Sequence, residues 1–362
     1  MTFQLLRPEI LPPEALDALL ASGWYRMRQS VFTCRYLLGR RGLHTAVWTR
    51  LPLRGYQFRP SLRRRMRRVR AEFEVSVSTQ GPTAEHEALY ARYVDHVGGD
   101  RADSLHEVLF DDDEPGALFR TRQIQVRRGG RLVAYSFFDE GRDSLQSVIG
   151  VYDPAFARYG LGVATLLEEI HFGLDQGYRF HYAGYVVPGV PAFDYKRDVG
   201  ELQFFDPDDH AWRDLSTLDP ALLPASRLQS GLESVGDRLR EMGIPHRLRC
   251  YPPYRVVYMN DLQDRCLSAP MFLECGRAVT DDVSLIVSHD PAAGTWAVDA
   301  YHRSRDLSEL MGDAPGPDAG PPADLSLLVR LDRAGVTATP EEAARWVARA
   351  LGRGPWRAVA PP

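Results

Sequence analysis

The sequence predicts an α/β (α+β) protein with a mixed antiparallel and parallel sheet, and two observations support this. Residues 121–153 contain three consecutive strand patterns, and Gly129 and Gly130 separate the first two as in a tight hairpin turn. This arrangement is typical of an antiparallel meander. A helix pattern and another strand pattern follow, and such a crossover makes the two strands that it joins parallel. We therefore expect strands 145–152 and 179–187 to be parallel.

The crossover helix is indicated by a single apolar stripe. Its members recur at helical spacing and are Val163, Leu166, Leu167, Ile170 and Leu174. Gly177 follows the last of them, at a position where helices commonly end. Further helices are predicted at 12–23, 82–97, 228–243 and 340–352, and further strands at 44–58, 71–78 and 254–261. Thr83 and Thr339 are expected to cap two of these helices.

Changes in composition divide the chain into three predicted domains. Residues 1–70 form a basic N-terminal unit and residues 71–280 form the α/β core. Residues 281–362 form a small C-terminal α/β extension, with a Pro/Gly-rich loop at 311–324. No apolar run approaches the length of a membrane helix, and the first ten residues lack a signal-peptide pattern. We expect a soluble, cytoplasmic protein without membrane partners.

The four cysteines, Cys34, Cys250, Cys266 and Cys275, are scattered along the chain. No two of them have the spacing of a zinc or redox motif. Isolated cysteines in a cytoplasmic protein most often act as small buried hydrophobic residues. The sequence therefore predicts no disulfide and no metal site.

Positive charge is concentrated near the N-terminus, although the whole chain carries a formal charge of −4. The stretch 18–71 contains 14 arginines and no acidic residue, which leaves −18 on the rest of the chain. Aromatic residues are interleaved with the arginines, and this combination suits phosphates and unpaired bases. Either nucleic acid or the acidic remainder of the protein could neutralise the block, and we favour nucleic acid. The expected contacts are Arg59, Arg63, Arg64, Arg65, Arg67, Arg68 and Arg70.

The loop before the crossover helix, "RYGLGVA", contains Arg158, Gly160, Leu161 and Gly162. Backbone N–H groups at the start of a helix bind phosphate or pyrophosphate in this way. In the usual coenzyme A loop the basic residue lies one position further from the glycine than Arg158 lies from Gly160. The glycines are explained equally well by close packing of the helix against the strand. A meander, a glycine loop and a parallel crossover together form the core of GNAT-type acyltransferases. We therefore predict a GNAT-like acyltransferase fold for residues 71–280.

Several short motifs occur along the chain: Asp153 with Pro154, Leu161 with Gly162, Tyr182, Gly184 and Tyr185 in one strand, Tyr195 with Lys196, and Phe58, Pro60 and Ser61 before the arginine run. Together they resemble the aminoacyl-tRNA–protein transferases, which include arginyl- and leucyl-transferases. The resemblance covers about residues 24–210. Many family members carry paired cysteines near the N-terminus, whereas this chain has only Cys34 there.

The resemblance implies transfer of an amino acid from charged tRNA to the α-amine of a protein that begins with Asp or Glu. The resemblance favours arginine as the transferred residue, with leucine as the alternative. It implies no cofactor beyond the co-substrate aminoacyl-tRNA and no DNA partner. The implied catalytic residues are Tyr182, Tyr185 and Lys196, and the implied substrate-binding residues are Tyr152, Gly184, Asp194, Tyr195 and Lys196. The tRNA 3′ end is expected at Arg158, Gly160, Leu161 and Gly162.

Lys196 is the only lysine in the chain, since the other 43 basic residues are arginines. Its ammonium is a compact point charge, whereas a guanidinium is a broad planar fork. Three readings stay open: a contact with the acceptor's acidic side chain, a contact with a tRNA phosphate, or a solvated lysine without a role. Two other functions also stay open, namely acyl-CoA-dependent N-acyl transfer and RNA binding without catalysis.

Overall fold

A computed structural model describes residues 3–39, 42–98, 101–110, 118–278, 282–311, 320–353 and 356–357. The described residues combine helices with sheets, as the sequence predicts. They separate into two compact units that interleave along the chain. The first unit comprises Leu5–Thr33 and Val47–Leu218, and the second comprises the described residues of 1–4, 34–46 and 219–362. The boundaries of these units differ from the predicted domain boundaries at 70 and 280.

The strands are β1 (Phe3–Leu6), β2 (Tyr25–Met27), β3 (Ser30–Cys34), β4 (Tyr36–Gly39), β5 (Gly42–Thr45), β6 (Val47–Pro52), β7 (Glu74–Ser78), β8 (Thr121–Arg128), β9 (Arg131–Glu140), β10 (Ser144–Tyr152), β11 (Phe180–Val186), β12 (Gln203–Asp206), β13 (Ala211–Asp214), β14 (Arg247–Cys250), β15 (Met271–Ala278), β16 (Val283–Asp290), β17 (Thr295–Asp306), β18 (Ser326–Thr337) and β19 (Trp356–Arg357). The α-helices are α1 (Pro13–Ala21), α2 (Pro60–Glu72), α3 (Ala84–Val97), α4 (Leu105–Leu109), α5 (Leu161–Gln176), α6 (Pro224–Glu241), α7 (Tyr254–Met259), α8 (Ser308–Met311) and α9 (Pro340–Arg353).

The main sheet of the first unit has the strand order β13-β12-β6-β11-β10-β9-β8-β7. Strands β8, β9 and β10 form the predicted antiparallel meander, while β10 and β11 are parallel. Gly129 and Gly130 have φ angles of +55° and +78°, which the hairpin turn between β8 and β9 requires. The predicted mixed sheet is confirmed, with a glycine loop and a crossover helix following the meander.

Helix α5 makes the crossover, and its apolar stripe packs against the sheet as predicted. Leu166, Leu167 and Ile170 are buried. They pack with Leu62 and Met66 of α2, so α2 lies against α5 through its own apolar face. Because that face is turned inward, the arginines of α2 are turned outward. Thr83 caps α3, and Gly177 ends α5 in a left-handed conformation, as the sequence predicts.

Strands β10 and β11 pair only at their beginnings. The parallel register joins 144–146 to 180–182, and both strands continue beyond it. On its other side β10 has a register irregularity against β9 between Ser147 and Ile149. The residues that follow the paired segment are therefore available to line an opening in the sheet.

The second unit contains an antiparallel sheet of order β14-β15-β16-β17-β18, with β19 paired to β15. Helices α6 and α9 contribute Leu228, Leu232 and Val347 to its core. Thr339 accepts a hydrogen bond from the backbone of Glu342, which agrees with its predicted capping role.

In the second unit, one sequence-based prediction is wrong and another falls mostly outside the described residues. The strand predicted at 254–261 is wrong, because α7 occupies most of this segment and buries Tyr254 and Val257. Most of the Pro/Gly-rich loop predicted at 311–324 lies outside the described residues. The four cysteines are buried, as predicted. Among the described residues, no helix is long and apolar enough to cross a membrane.

Candidate active site

A cavity of about 490 Å³ lies in the first unit where β10 and β11 stop pairing. Residues 147–150 of β10 and 183–185 of β11 line it from the two strands. Gly162, Thr165 and Glu169 line it from α5. The segment after β11, a 3₁₀ helix at Pro191–Val199, supplies Phe193, Tyr195 and Lys196. Five residues of the resemblance motifs therefore meet at one opening in the sheet, namely Gly162, Gly184, Tyr185, Tyr195 and Lys196.

Lys196 is half-buried and its ammonium lies in the cavity. The Nζ atom donates a hydrogen bond of 2.9 Å to the backbone carbonyl of Tyr185. It also lies 5.6 Å from the ring centre of Tyr185 and 5.7 Å from that of Phe193. Burial lowers the pKa of Lys196 to about 8, although the carboxylate of Glu169 acts in the opposite direction. No carboxylate lies within 4.0 Å of Nζ among the described residues.

Gly184 is required beside this lysine for two reasons. Its φ angle is +80°, which residues with a side chain rarely adopt. A Cβ atom at this position would also lie 3.3 Å from the Lys196 Nζ atom. Gly184 thus leaves the space that the ammonium occupies, and it lines the same cavity.

Glu169 is a cavity residue that the sequence analysis missed. Its side chain is completely buried, its Oε2 atom is 3.0 Å from Nε2 of His181, and the Ser147 hydroxyl lies 3.4 Å from Oε1. His181 is also completely buried. The available signal was a glutamate three residues after Leu166, next to the apolar stripe of a helix that faces the sheet.

Aromatic side chains form another wall of the cavity. Tyr25 and Trp48 stack with ring centres 3.9 Å apart, and Trp48 meets the edge of Tyr185 at 5.2 Å. Tyr185 in turn contacts Phe193 at 5.4 Å. These rings come from separate strands and from the 3₁₀ helix, so the wall depends on the fold of the whole unit.

Three of the predicted catalytic and substrate-binding residues do not line the cavity, namely Tyr152, Tyr182 and Asp194. Tyr182 is only 1% exposed, its ring packs on Tyr25, and its hydroxyl accepts a 3.5 Å hydrogen bond from Arg50. Tyr182 therefore does not share the wall of Tyr185. Asp194 is exposed and lies 3.9 Å from the guanidinium of Arg197. In a 3₁₀ helix, side chains three residues apart share a face, which places Phe193 and Lys196 together and turns Asp194 away.

The predicted glycine loop reaches the cavity through one residue, Gly162. A Cβ atom on Gly162 would lie 3.2 Å from the Tyr152 ring, so Tyr152 closes the space beside the loop. Leu161 is buried in the core and does not line the cavity. Gly160 has a φ angle of +64° and faces Arg65. The exposed Arg158 lies over the Tyr159 ring and donates a hydrogen bond to its hydroxyl.

Comparisons with known proteins show what the segment that supplies most of the cavity lining is similar to. Residues 85–206 match the family model described as "Arginine-tRNA-protein transferase, C terminus". The aspartate/glutamate leucyltransferase of Leptospira interrogans is 25% identical over 222 residues, which are 59% of this chain and 82% of that protein. The enzyme of the same name from Paracoccus denitrificans is 26% identical over 212 residues, 54% of this chain and 74% of that protein. The chain is related to the aminoacyl-tRNA–protein transferases.

The matched segment of this chain contains four of the cavity residues, Gly162, Glu169, Tyr185 and Lys196. A shorter match, to the aspartate/glutamate leucyltransferase of Hyphomonas neptunium, is 36% identical over 126 residues, 35% of this chain and 44% of that protein. The resemblance noted in the sequence is thus confirmed at the level of the family.

Most of the predicted tRNA contacts of this chain lie on one surface outside the matched segment. We call it the arginine ridge, and it consists of Arg63, Arg64, Arg65, Arg67 and Arg68 on α2. All five are exposed, while Leu62, Met66 and Val69 on the opposite face are buried. None of the five forms an ion pair with another described residue.

The other two predicted tRNA contacts, Arg59 and Arg70, have partners within the first unit. Arg70 pairs with Glu168 at 2.6 Å, and Arg59 donates a hydrogen bond to the carbonyl of Asp198. The ridge borders the glycine loop, because Arg65 lies beside Gly160 and Arg68 lies 5.4 Å from the Tyr159 ring centre. A positive surface thus leads to the loop whose Gly162 enters the cavity.

Proposed function

We propose that the protein transfers an amino acid from a charged tRNA to the N-terminal α-amine of a protein or peptide that begins with Asp or Glu. The observation that carries this proposal is the Lys196 ammonium, which enters the cavity and has no carboxylate within 4.0 Å among the described residues. A half-buried cation without an ionic partner among the described residues favours an anionic ligand. The acidic side chain of the acceptor is the ligand that the family relationship suggests.

The proposed chemistry needs little acid–base power. The donor is an activated ester, and an α-amine has an ordinary pKa of about 7.7–8.0, so part of it is neutral near pH 7. Catalysis then depends mainly on holding the amine against the ester carbonyl and on stabilising the oxyanion that forms. Backbone N–H groups at the start of α5, near Gly162, and the Tyr185 side chain are the proposed stabilising groups. No cofactor beyond aminoacyl-tRNA is required by this scheme.

The arginine ridge is proposed to bind the tRNA backbone. Its five exposed guanidinium groups border the loop that opens toward the cavity. Phosphates bound on the ridge would direct the aminoacylated 3′ end to Gly162. Charged tRNA and the acceptor chain are therefore the proposed partners.

We propose leucine, rather than arginine, as the transferred residue. The aromatic wall of Tyr25, Trp48 and Tyr185 would cover an apolar side chain. The family model that matches the chain carries the name of arginine, whereas the individual relatives from Leptospira interrogans and Paracoccus denitrificans carry the name leucyltransferase.

The test is an incubation of the purified protein with aminoacylated total tRNA and a peptide that begins with Asp. We expect mass spectrometry to show addition of one leucyl residue at the N-terminus. Uncharged tRNA and an N-acetylated copy of the peptide are the controls, and both should give no product. Addition of an arginyl residue would reject the choice of leucine only. Transfer from acyl-coenzyme A, with no transfer from tRNA, would reject the proposed function.

A further inference from the structure

Four charged residues line the cavity, Arg26, Arg101, Glu169 and Lys196, and Glu169 is the one acidic residue among the described lining residues. Arg26 is paired with Asp139. Lys196 reaches it from the 3₁₀ helix after β11, and Glu169 reaches it from α5. The two side chains influence each other electrostatically but do not approach within 4.0 Å as an ion pair. A ligand with one positive and one negative group would therefore complement both.

We propose that the Glu169 carboxylate receives the α-amine of the acceptor chain, while Lys196 receives its acidic side chain. This inference rests on the proposed function and adds a second recognition group to it. An N-terminal Asp or Glu carries an amine and a carboxylate on the same residue. An internal Asp lacks the amine and an N-terminal Asn lacks the carboxylate, so the first would pair only with Lys196 and the second only with Glu169.

The surroundings of Glu169 support this role. Its two oxygens can accept several hydrogen bonds, and the described partners are His181 on Oε2 and Ser147, at the long distance of 3.4 Å, on Oε1. A completely buried carboxylate is costly unless donors satisfy it. Oε1 therefore has capacity for the N–H group of a bound amine. His181, which is itself completely buried, holds the carboxylate in place and acts as a positioning residue.

This placement also provides a route for the proton that the reaction releases. The bound ammonium first releases one proton to solvent. The neutral amine then attacks the ester carbonyl carbon, so a C–N bond forms and the nitrogen becomes positively charged. Glu169 accepts one proton from this nitrogen. The C–O bond to the ribose then breaks, the ribose oxygen takes up one proton, and Glu169 returns to its carboxylate form. The sum is an amide, a free tRNA hydroxyl and the one proton released from the ammonium, with no other reactant needed.

A binding cycle tests the proposal without tRNA and without turnover. The two ligands are a peptide beginning with Asp and its des-amino analogue, in which a succinyl group replaces the Asp residue. The proteins are the parent, Glu169→Gln and the neighbouring control Glu168→Gln. Glu168 lies on the same helix and pairs with Arg70, and it does not line the cavity.

We expect the parent and Glu168→Gln to bind the amine-bearing peptide at least about tenfold more tightly than its analogue, as for a hydrogen bond to a charged group. Glu169→Gln should bind the two peptides equally. Retained preference in Glu169→Gln, or an equal loss of affinity for both peptides, would overturn the proposal. If Glu169→Gln does not fold, the parent alone decides the matter, because equal affinity for the two peptides also overturns it.

The outcome is separable from that of the proposed function. A parent that transfers no amino acid in the assay above rejects the function whatever the binding cycle shows. A parent that transfers an amino acid to the Asp peptide, together with a Glu169→Gln variant that keeps its amine preference, rejects only the role of Glu169.

Discussion

The Lys196 ammonium and the Tyr185 carbonyl are joined by a 2.9 Å hydrogen bond across the cavity wall. An ammonium has three donors, so this bond fixes the direction of the side chain and leaves two donors for a ligand. Gly184 provides the space beside them. The selectivity of the protein should therefore depend on the size of this cation as well as on its charge.

Lys196→Met should lower kcat/KM about ten- to a hundredfold for peptides that begin with Asp or Glu, because a charge-assisted hydrogen bond contributes about 1.5–3 kcal/mol. Peptides that begin with Asn or Gln should be poor substrates of the parent and should change much less. Lys196→Arg keeps the charge, but its broad guanidinium should not fit beside Gly184, and activity should remain low. Full activity of Lys196→Arg, with equal losses for all acceptors in Lys196→Met, would instead indicate a phosphate contact.

The pH dependence should differ between acidic and neutral acceptors. The pKa of Lys196 is lowered to about 8, so its charge is present below pH 8 and is lost as the pH rises through that value. The acceptor amine becomes neutral, and hence reactive, over the same range. For Asp peptides, kcat/KM should therefore rise to a maximum near pH 8 and then fall. A profile for Asp peptides with no alkaline limb, in assays corrected for ester hydrolysis, would contradict this role of the lysine.

Lys196 should lower the free energy of unfolding at neutral pH. Its pKa is about 8 in the folded protein and near 10.5 in the unfolded chain, so folding disfavours the charged form. This penalty is complete below pH 8 and disappears as the pH rises toward 10.5. Lys196→Met should therefore raise the free energy of unfolding at pH 7 by about 1–3 kcal/mol, and by much less at pH 10. Urea titrations at the two pH values measure the difference, and destabilisation at pH 7 would contradict it.

Neutralising the arginine ridge should weaken tRNA binding and reduce its salt dependence. Each phosphate contact contributes a slope of about 0.7–0.9 in a plot of log K against log salt concentration. Replacing all five ridge arginines by Gln should lower the slope by up to about four. A matched control replaces five exposed arginines elsewhere, Arg7, Arg265, Arg345, Arg349 and Arg353. Equal slopes for the ridge variant and the parent would show that the ridge does not face tRNA.

Gly162→Val should abolish transfer while the protein remains folded. The new side chain would enter the cavity and push against Tyr152, which lies 3.2 Å from the position of its Cβ atom. Gly81→Val is the control, because nothing lies within 4 Å of a Cβ atom there. Circular dichroism reports folding, and the transfer assay reports activity. Normal activity of folded Gly162→Val would reduce the loop to a packing feature.

Local patterns predicted the first unit well. Gly129 and Gly130 specify the hairpin because few other residues adopt its φ angles, and the stripe of α5 specifies one buried face. Lys196 was identifiable because it is the only lysine. The Gly184 requirement follows from a positive φ angle that the sequence alone does not reveal.

Features that depend on distant contacts were not predictable in this way. The segment 254–261 is a short apolar run, and periodicity does not distinguish a strand from a helix at that length. Tyr182 and Tyr185 occur in one strand, yet only Tyr185 lines the cavity, and the register of that strand against β6 is irregular between 181 and 184. Glu169 became a site residue only when the fold placed it beside His181 and Ser147.

The most direct test of the central claim is a competition among acceptors. Equal concentrations of four peptides that differ only in the first residue, Asp, Glu, Asn or Gln, are incubated with the parent protein and leucyl-tRNA. We expect leucyl addition almost entirely to the Asp and Glu peptides, and loss of that preference in Lys196→Met. Equal addition to all four peptides by the parent, or an unchanged preference in Lys196→Met, would contradict the account.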